Sequence, residues 1–299
     1  MATDLVEIFG YAPKDLTKAT RSLWTLGACP FVNGSCVKHN HDKSIIYGTC
    51  SATSPYGDII ICPNRLYADN WGTIRAVAKD AFGSNCQFFM FDEFIKNRTA
   101  KGSCVVALGQ NSGKEVKVGK SLSMDWVLAK IKDAKLEEYV GIEVQSIDVT
   151  GNYRDAWHAY KNFASNGTKP IPPSEHGLNW ANVHKRLIPQ IIRKSLVYSR
   201  SALVKKGLYF VVPEIVYSKF VGILGDIPEK ASVDNQTITV VSYGLDAPVP
   251  NGKQRALKHI RTRRFDLTEF SNRFVSGPNL PSGEDLDRTV MRILGVSGQ

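Results

Sequence analysis

The sequence predicts an α/β fold in which a mixed central sheet is flanked by helices, and three features carry that expectation. Two segments rich in β-branched and apolar residues, Ser123 to Ile131 and Tyr139 to Ile147, are each short enough for a central strand and are joined by the polar run Lys132 to Glu138. Trp180 to Leu203 places Val183, Leu187, Ile191, Leu196 and Leu203 among Lys185, Arg186, Arg193, Lys194 and Arg200, the pattern of an amphipathic helix with Pro189 inside it. Leu208 to Val212 reads as a further buried strand.

The remaining elements follow in order. Residues 1 to 24 read as a leading helix, with Leu5, Ile8, Phe9, Leu16, Leu23 and Trp24 apolar. Ala28 to Arg65 is turn-rich and cysteine-bearing, and suggests loops and small hairpins held by something other than a core. Residues 71 to 98 carry helical patterning followed by an aromatic run from Phe88 to Phe94. After Ser276 a Gly/Pro-rich stretch precedes a short helix from Leu286 to Leu294. The expected organisation is an N-terminal segment, 1–70, carrying a four-cysteine metal site, and a second domain, 71–299.

Composition sets the outer limits. With 43% hydrophobic and 22% charged residues in 299, the chain can bury a sizeable core and is neither disordered nor fibrous. The most apolar stretch, Leu208 to Leu224, is broken by Pro213, Glu214 and Lys219, short of the ~18 uninterrupted apolar residues of a membrane span. No basic stretch leads into an apolar core at the start, so the expected location is cytoplasmic. The 38 basic against 28 acidic residues leave a formal charge of +10, which favours a polyanionic partner.

Cys29, Cys36, Cys50 and Cys62 fall within 34 residues, separated by 6, 13 and 11 residues. Clustered thiolates suit one tetrahedral zinc or iron centre, although the spacing lacks a Cys-x-x-Cys knuckle and buried free thiols are the competing reading. Cys86 and Cys104 sit in apolar surroundings and read as core thiols.

Alternation in the second strand turns Glu143 and Gln145 to one face and Ile142 and Val144 to the other. Asp125 lies among Met124, Trp126, Val127 and Leu128, where a carboxylate is costly unless it binds a cation or a donor. An acid on one strand, with an acid and a polar residue on its neighbour, is an arrangement that holds Mg²⁺ through oxygen ligands. A surface strand is the competing reading.

These residues resemble a PD-(D/E)xK nuclease core, with Asp125 as the first acid and Glu143-Val144-Gln145 as the (D/E)-x-K element, Gln standing for the usual Lys. Together with CPF (29–31), CVK (36–38), CPNR (62–65), MDW (124–126), GIEVQSID (141–148), GNY (151–153) and GLNWANVHKR (177–186), their order resembles NotI-type restriction endonucleases over residues 5 to 225. The resemblance implies a type II restriction endonuclease of a prokaryotic cytoplasm. It would be a homodimer cutting double-stranded DNA with Mg²⁺ at a palindromic, GC-rich site. It further implies that Asp125 and Glu143 ligate catalytic Mg²⁺, that Gln145 takes the lysine's place, and that an upstream acid, Glu115 in GKEVKVGK, joins the site. The cysteine quartet would bind a structural iron.

Arg and Lys read guanine edges, and KQRALKHIRTRR (253–264) supplies seven basic or imidazole side chains without an acid, with Lys258, Arg261, Arg263 and Arg264 as expected DNA contacts. Lys185, Arg186, Arg193 and Lys194 form a second expected surface. Two rival functions share these residues: a non-catalytic, metal-stapled DNA-binding protein, and a repair or recombination nuclease without sequence preference.

Overall fold

The computed structural model describes residues 3–32, 34–96, 102–118, 122–166, 169–277, 280 and 282–295. A seven-stranded mixed sheet forms its centre. The strands are β1 (Gln87–Met90), β2 (Ser103–Gly109), β3 (Trp126–Lys132), β4 (Lys135–Val144), β5 (Leu208–Pro213), β6 (Thr237–Leu245) and β7 (Leu257–Asp266), and they lie side by side in chain order. The β2/β3, β3/β4 and β6/β7 pairs are antiparallel, whereas β1/β2, β4/β5 and β5/β6 are parallel. Every residue of β5 is buried, as expected of a strand covered on both faces.

Helices lie on both sides of this sheet. On one face α1 (Ala68–Phe82) packs by Trp71 onto Trp126, ring centroids 5.2 Å apart, and by Asp80 onto the Tyr209 hydroxyl at 2.7 Å. On the other face lie α2 (Ile188–Ser199), α3 (Glu214–Leu224) and α4 (Leu267–Ser276), with α4 touching both α2 and α3. Gly141 is what lets α2 approach, because a Cβ there would run into the Tyr198 ring.

The two central strands are shifted toward each other relative to the sequence reading: β3 starts after Asp125 and runs on to Lys132, and β4 starts at Lys135 and stops three residues short of Ile147. Lys132 to Glu138, expected as a bridge, is the end of a β-hairpin that pairs Lys132 with Lys135. Asp133 and Ala134 form its turn with φ of 49° and 61°, the left-handed pair that a two-residue hairpin needs. The outer half of β4 is solvated, so its polar residues hide the strand from a pattern search. The second strand ends at Val144, and Gln145 follows it with its N–H still bonded to the Val211 carbonyl at 3.1 Å.

Other expectations change near the ends. The leading helix is replaced by a strand, Leu5–Ile8, and a later helix, Lys18–Leu26, because Leu5 and Glu7 turn to a partner strand, Thr49–Ser54. Pro13 then separates the two elements. The helix expected over 71–98 ends at Phe82, and the aromatic run forms β1 and a helix, Phe91–Lys96, with residues 97 and 98 outside the described residues. Trp180 to Ser199 is helical throughout but contains a π-helical turn, Val183–Leu187. Pro189 has no N–H to offer the Lys185 carbonyl, and a widened turn accommodates it.

The cysteine-bearing segment forms small hairpins, as expected, and its buried side chains join the same apolar cluster as β3 to β6. Packing is continuous across residue 70. One buried ion pair ties the segment in: Arg65 meets Glu7 through two bonds of 2.9 and 3.0 Å, both side chains almost wholly excluded from solvent. Glu7 also accepts from Ser51 at 2.9 Å, and Arg65 donates to the Arg255 carbonyl at 2.5 Å and stacks over Phe31. Removing one member of such a pair leaves a buried, uncompensated charge. Glu7→Gln should lower unfolding free energy by about 3–5 kcal/mol, read as a fall in urea midpoint. An unchanged midpoint would mean that the pair is not buried in solution.

Candidate active site

Asp125 occupies the single-residue break where one long strand changes partners. Before it, Leu122–Met124 pairs antiparallel with Val116–Val118, matching Val116 to Met124. After it, β3 pairs with β4, matching Trp126 to Ile142. Continuing each register by one residue sets Glu115 across from Asp125 on one side and Glu143 across from it on the other.

The backbone locks this junction. The Val144 N–H donates to Asp125 Oδ2 at 3.0 Å, and the Asp125 N–H reaches Glu143 Oε1 at 3.4 Å. Gly109 permits the turn, since a Cβ there would meet Trp126 Cε3 at 2.6 Å and the Asp125 carbonyl at 2.7 Å. Trp126 is fixed in turn by its indole N–H donating to the Tyr67 hydroxyl at 3.1 Å. Burial, and then the charge of Asp125, hold the Tyr67 phenol far above its usual pKa.

Glu143 is 7% exposed, while Asp125 opens to solvent. Burial, followed by repulsion from Asp125, pushes the Glu143 carboxyl up to about 8, against the pull of Lys194. Lys194 is the cation closing this site: its ammonium contacts Glu143 Oε2, and both side chains are about nine-tenths buried. It reaches the site because α2 runs back along β4, with Tyr198 over Gly141, Lys194 over Glu143 and Gln190 beside Gln145. Steps of four residues on a helix and two on a strand are both about 6 Å, so the two elements stay in register.

A cavity of about 300 Å³ opens at this point, lined by Glu115, Asp125, Gln145, Asn64, Tyr67 and Ser123 among others. Glu115 sits on its rim, where the Ser123 hydroxyl and then Lys117, 3.1 Å away, hold its carboxyl below the usual range. Three of the four residues expected for catalysis, Glu115, Asp125 and Gln145, therefore line one opening, and Glu143 lies buried beside them, against the Asp125 N–H and Lys194. Among the described residues, however, no three Cys, His, Asp or Glu side chains are drawn together at metal-ligand spacing.

No protein-family model and no curated protein sequence matches the chain.

The cysteines are treated alike by the fold. Cys29, Cys36, Cys50 and Cys62 are all buried and lie close enough that charge on one disfavours charge on another. Burial is the larger effect, raising the Cys36 and Cys50 thiols and taking Cys62 to about 11. Cys36 Sγ accepts from the Lys38 N–H at 3.4 Å and Cys29 Sγ faces the Asn64 amide at 3.9 Å. The Cys50 thiol instead donates to the Gly48 carbonyl at 3.3 Å; four buried, neighbouring sulfurs suit a thiolate metal centre chemically, although they are not closed into a tetrahedron.

The expected DNA-contacting residues are divided by the fold. Arg261, Arg263 and Arg264 lie on the edge strand β7 in ion pairs with Glu214, Glu229 and Asp80 at 2.7, 3.1 and 2.8 Å, and Lys258 beside them is exposed. Lys185 and Arg186 are exposed on the π-helical turn, with Arg186 lining a cleft beside Gln145, and Arg193 is exposed on α2. Sequence reasoning placed Lys194 on a DNA-facing surface and missed its contact with Glu143. The four-residue spacing of Gln190, Lys194 and Tyr198 was the available signal.

The raised Glu143 carboxyl gives a signed pH dependence. The unfolded chain ionises this group near 4.5 while the folded metal-free protein holds its proton to about 8. Its contribution to stability is thus full below pH 4.5 and is lost as pH rises to 8, a change on the order of a few kcal/mol. Glu143→Gln mimics the protonated form. The variant should melt with the wild type at pH 4.5 and several degrees above it beyond pH 8. Coincident melting curves at both ends would mean that Glu143 is not buried against Asp125.

Proposed function

We propose that the chain is a Mg²⁺-dependent, site-specific endonuclease acting on double-stranded DNA, a type II restriction endonuclease built on a PD-(D/E)xK-type core. The observation that carries this reading is the partner switch at Asp125, which sets Glu115 and Glu143 on either side of it with Gln145 at the mouth of an open cavity. The strand order around it supports the same reading: antiparallel β2, β3 and β4, a helical crossover through α2, and β5 returning parallel to β4.

In this reading Asp125 and Glu143 hold the cation. Mg²⁺ bound there supplies a water of lowered pKa and positive charge opposite the scissile phosphate. Gln145 donates its amide to phosphate or water but carries no charge. The ammonium missing from its position is offered from α2 by Lys194, which keeps the Glu143 carboxylate oriented. Trp126 and Tyr67 close the inner wall and limit water behind the phosphate.

The proposal extends to a homodimer, since two symmetric sites are what a palindromic duplex needs. It also includes one structural iron, or else zinc, on Cys29, Cys36, Cys50 and Cys62, and a prokaryotic cytoplasmic setting. No helix among the described residues is long and apolar enough to cross a membrane.

Asp125→Asn and Glu143→Gln keep shape and remove charge. Both variants should bind DNA in a gel shift yet lose Mg²⁺-dependent plasmid cleavage by on the order of 10³-fold or more. The same wild-type preparations should carry one iron or zinc per chain in elemental analysis. Cleavage at the wild-type rate in either variant would remove that residue from the site, and an intact plasmid with wild-type protein would favour the non-catalytic DNA-binding reading.

A further inference from the structure

We propose that the polar cleft between Gln145 and the Trp180–Gln190 helical segment is a base-reading surface for duplex DNA, contributed by Asp148, Asn182, Arg186 and Gln190. The inference rests on the nuclease reading of the neighbouring cavity and names the surface that gives that site its sequence preference.

Three observations lead to it. The cleft, about 220 Å³, shares Gln145 with the cavity that holds Asp125 and Glu115, so a duplex with its phosphate at Asp125 places the adjoining base pairs here. Its polar lining is amide, carboxylate and guanidinium, which are the groups that pair with base edges: Arg with guanine, Asn or Gln with adenine, a carboxylate with the cytosine amine. Asp148 is exposed in this cleft with no cation paired to it among the described residues, and an unneutralised carboxylate repels phosphate. The chemistry therefore favours base edges over the backbone.

The third observation is how the side chains are held. Asn182 donates to Asp148 at 3.0 Å, and the Asn179 N–H donates to the Asp148 carbonyl at 2.9 Å, so the acid and the amide are already oriented. The Arg186 and Gln190 side chains are exposed and have no hydrogen-bond partner among the described residues, in contrast to the ion-paired Arg261, Arg263 and Arg264. Both stand on a rigid base, because Val183, Leu187 and Ile188 of the same segment are buried. The π-helical turn at Val183–Leu187 carries Arg186 into the cleft lining, and such turns recur at functional sites.

The test selects duplexes from a fully randomised DNA library on the full-length protein, with Ca²⁺ in place of Mg²⁺, for the wild type, Arg186→Ala and Gln190→Ala. Both substitutions are at exposed positions, and circular dichroism checks folding. The wild type should enrich a defined motif. Each variant should lose preference at a subset of its positions by about 10- to 100-fold in relative affinity, while affinity for random duplex and its salt slope stay unchanged. Variants that enrich the wild-type motif at full strength would overturn the inference. So would a uniform loss on all duplexes with a shallower salt slope, the mark of a phosphate contact, or a wild type that enriches no motif. Plasmid digestion with Mg²⁺ separates the two readings: cleavage with an unaltered motif in both variants keeps the nuclease and removes the cleft. A motif that changes in the variants, with no cleavage by the wild type, keeps the cleft and removes the nuclease.

Discussion

Two carboxylates forced to face each other, Asp125 and Glu143, are the constraint around which this fold is arranged. Charging both at once is unfavourable, and burial of Glu143 makes it more so, which holds the Glu143 proton on to about 8 in the metal-free protein. The structure meets that cost with directed donors: the Val144 N–H on Asp125 and the Lys194 ammonium on Glu143. Each donor demands a long-range arrangement. The Val144 bond exists only if β3 and β4 keep one register, and the Lys194 contact exists only if α2 lies directly on β4, which Gly141 permits.

The outer layers hold this junction in place. Tyr67, which receives the Trp126 indole, follows two residues after Arg65, and Arg65 is fixed by Glu7 and by the carbonyl of Arg255 from the far end of the chain. The N-terminal strand, the cysteine segment and the region before β7 therefore converge behind one wall of the cavity. The carboxyl ends of β4, β5 and β6 open on the other side, where crevices line up from Asp125 through Gln145 to a third cavity of about 370 Å³ beside Trp180, Tyr56 and Tyr243. Crevices outside the carboxyl ends of parallel strands are where α/β sheets bind ligands.

Much of the site was legible in the sequence because it is local. Two-residue alternation set Glu143 and Gln145 on one face, and Asp125 stood out as an acid in an apolar strand. What local pattern does not encode is partner choice. The switch at Asp125, which brings Glu115 opposite, needs two separate strand partners, and the role of Lys194 needs α2 docked 51 residues away in sequence from Glu143. The basic run before Asp266 looked free because its counter-charges, Asp80, Glu214 and Glu229, come from distant elements. The leading helix failed for a related reason: Leu5 and Glu7 face a strand some 45 residues on, and tertiary pairing outweighs a weak helical pattern.

Terbium luminescence reads the proposed multivalent-cation site of Asp125 and Glu143 directly. Trp126 follows Asp125 and Tyr67 lines the same cavity, so Tb³⁺ seated between the carboxylates lies within energy-transfer range of both rings. Sensitised emission should saturate with Tb³⁺, be displaced by Mg²⁺, and be lost in Asp125→Asn. Emission that Mg²⁺ does not displace, or that persists undiminished in Asp125→Asn, would contradict that site.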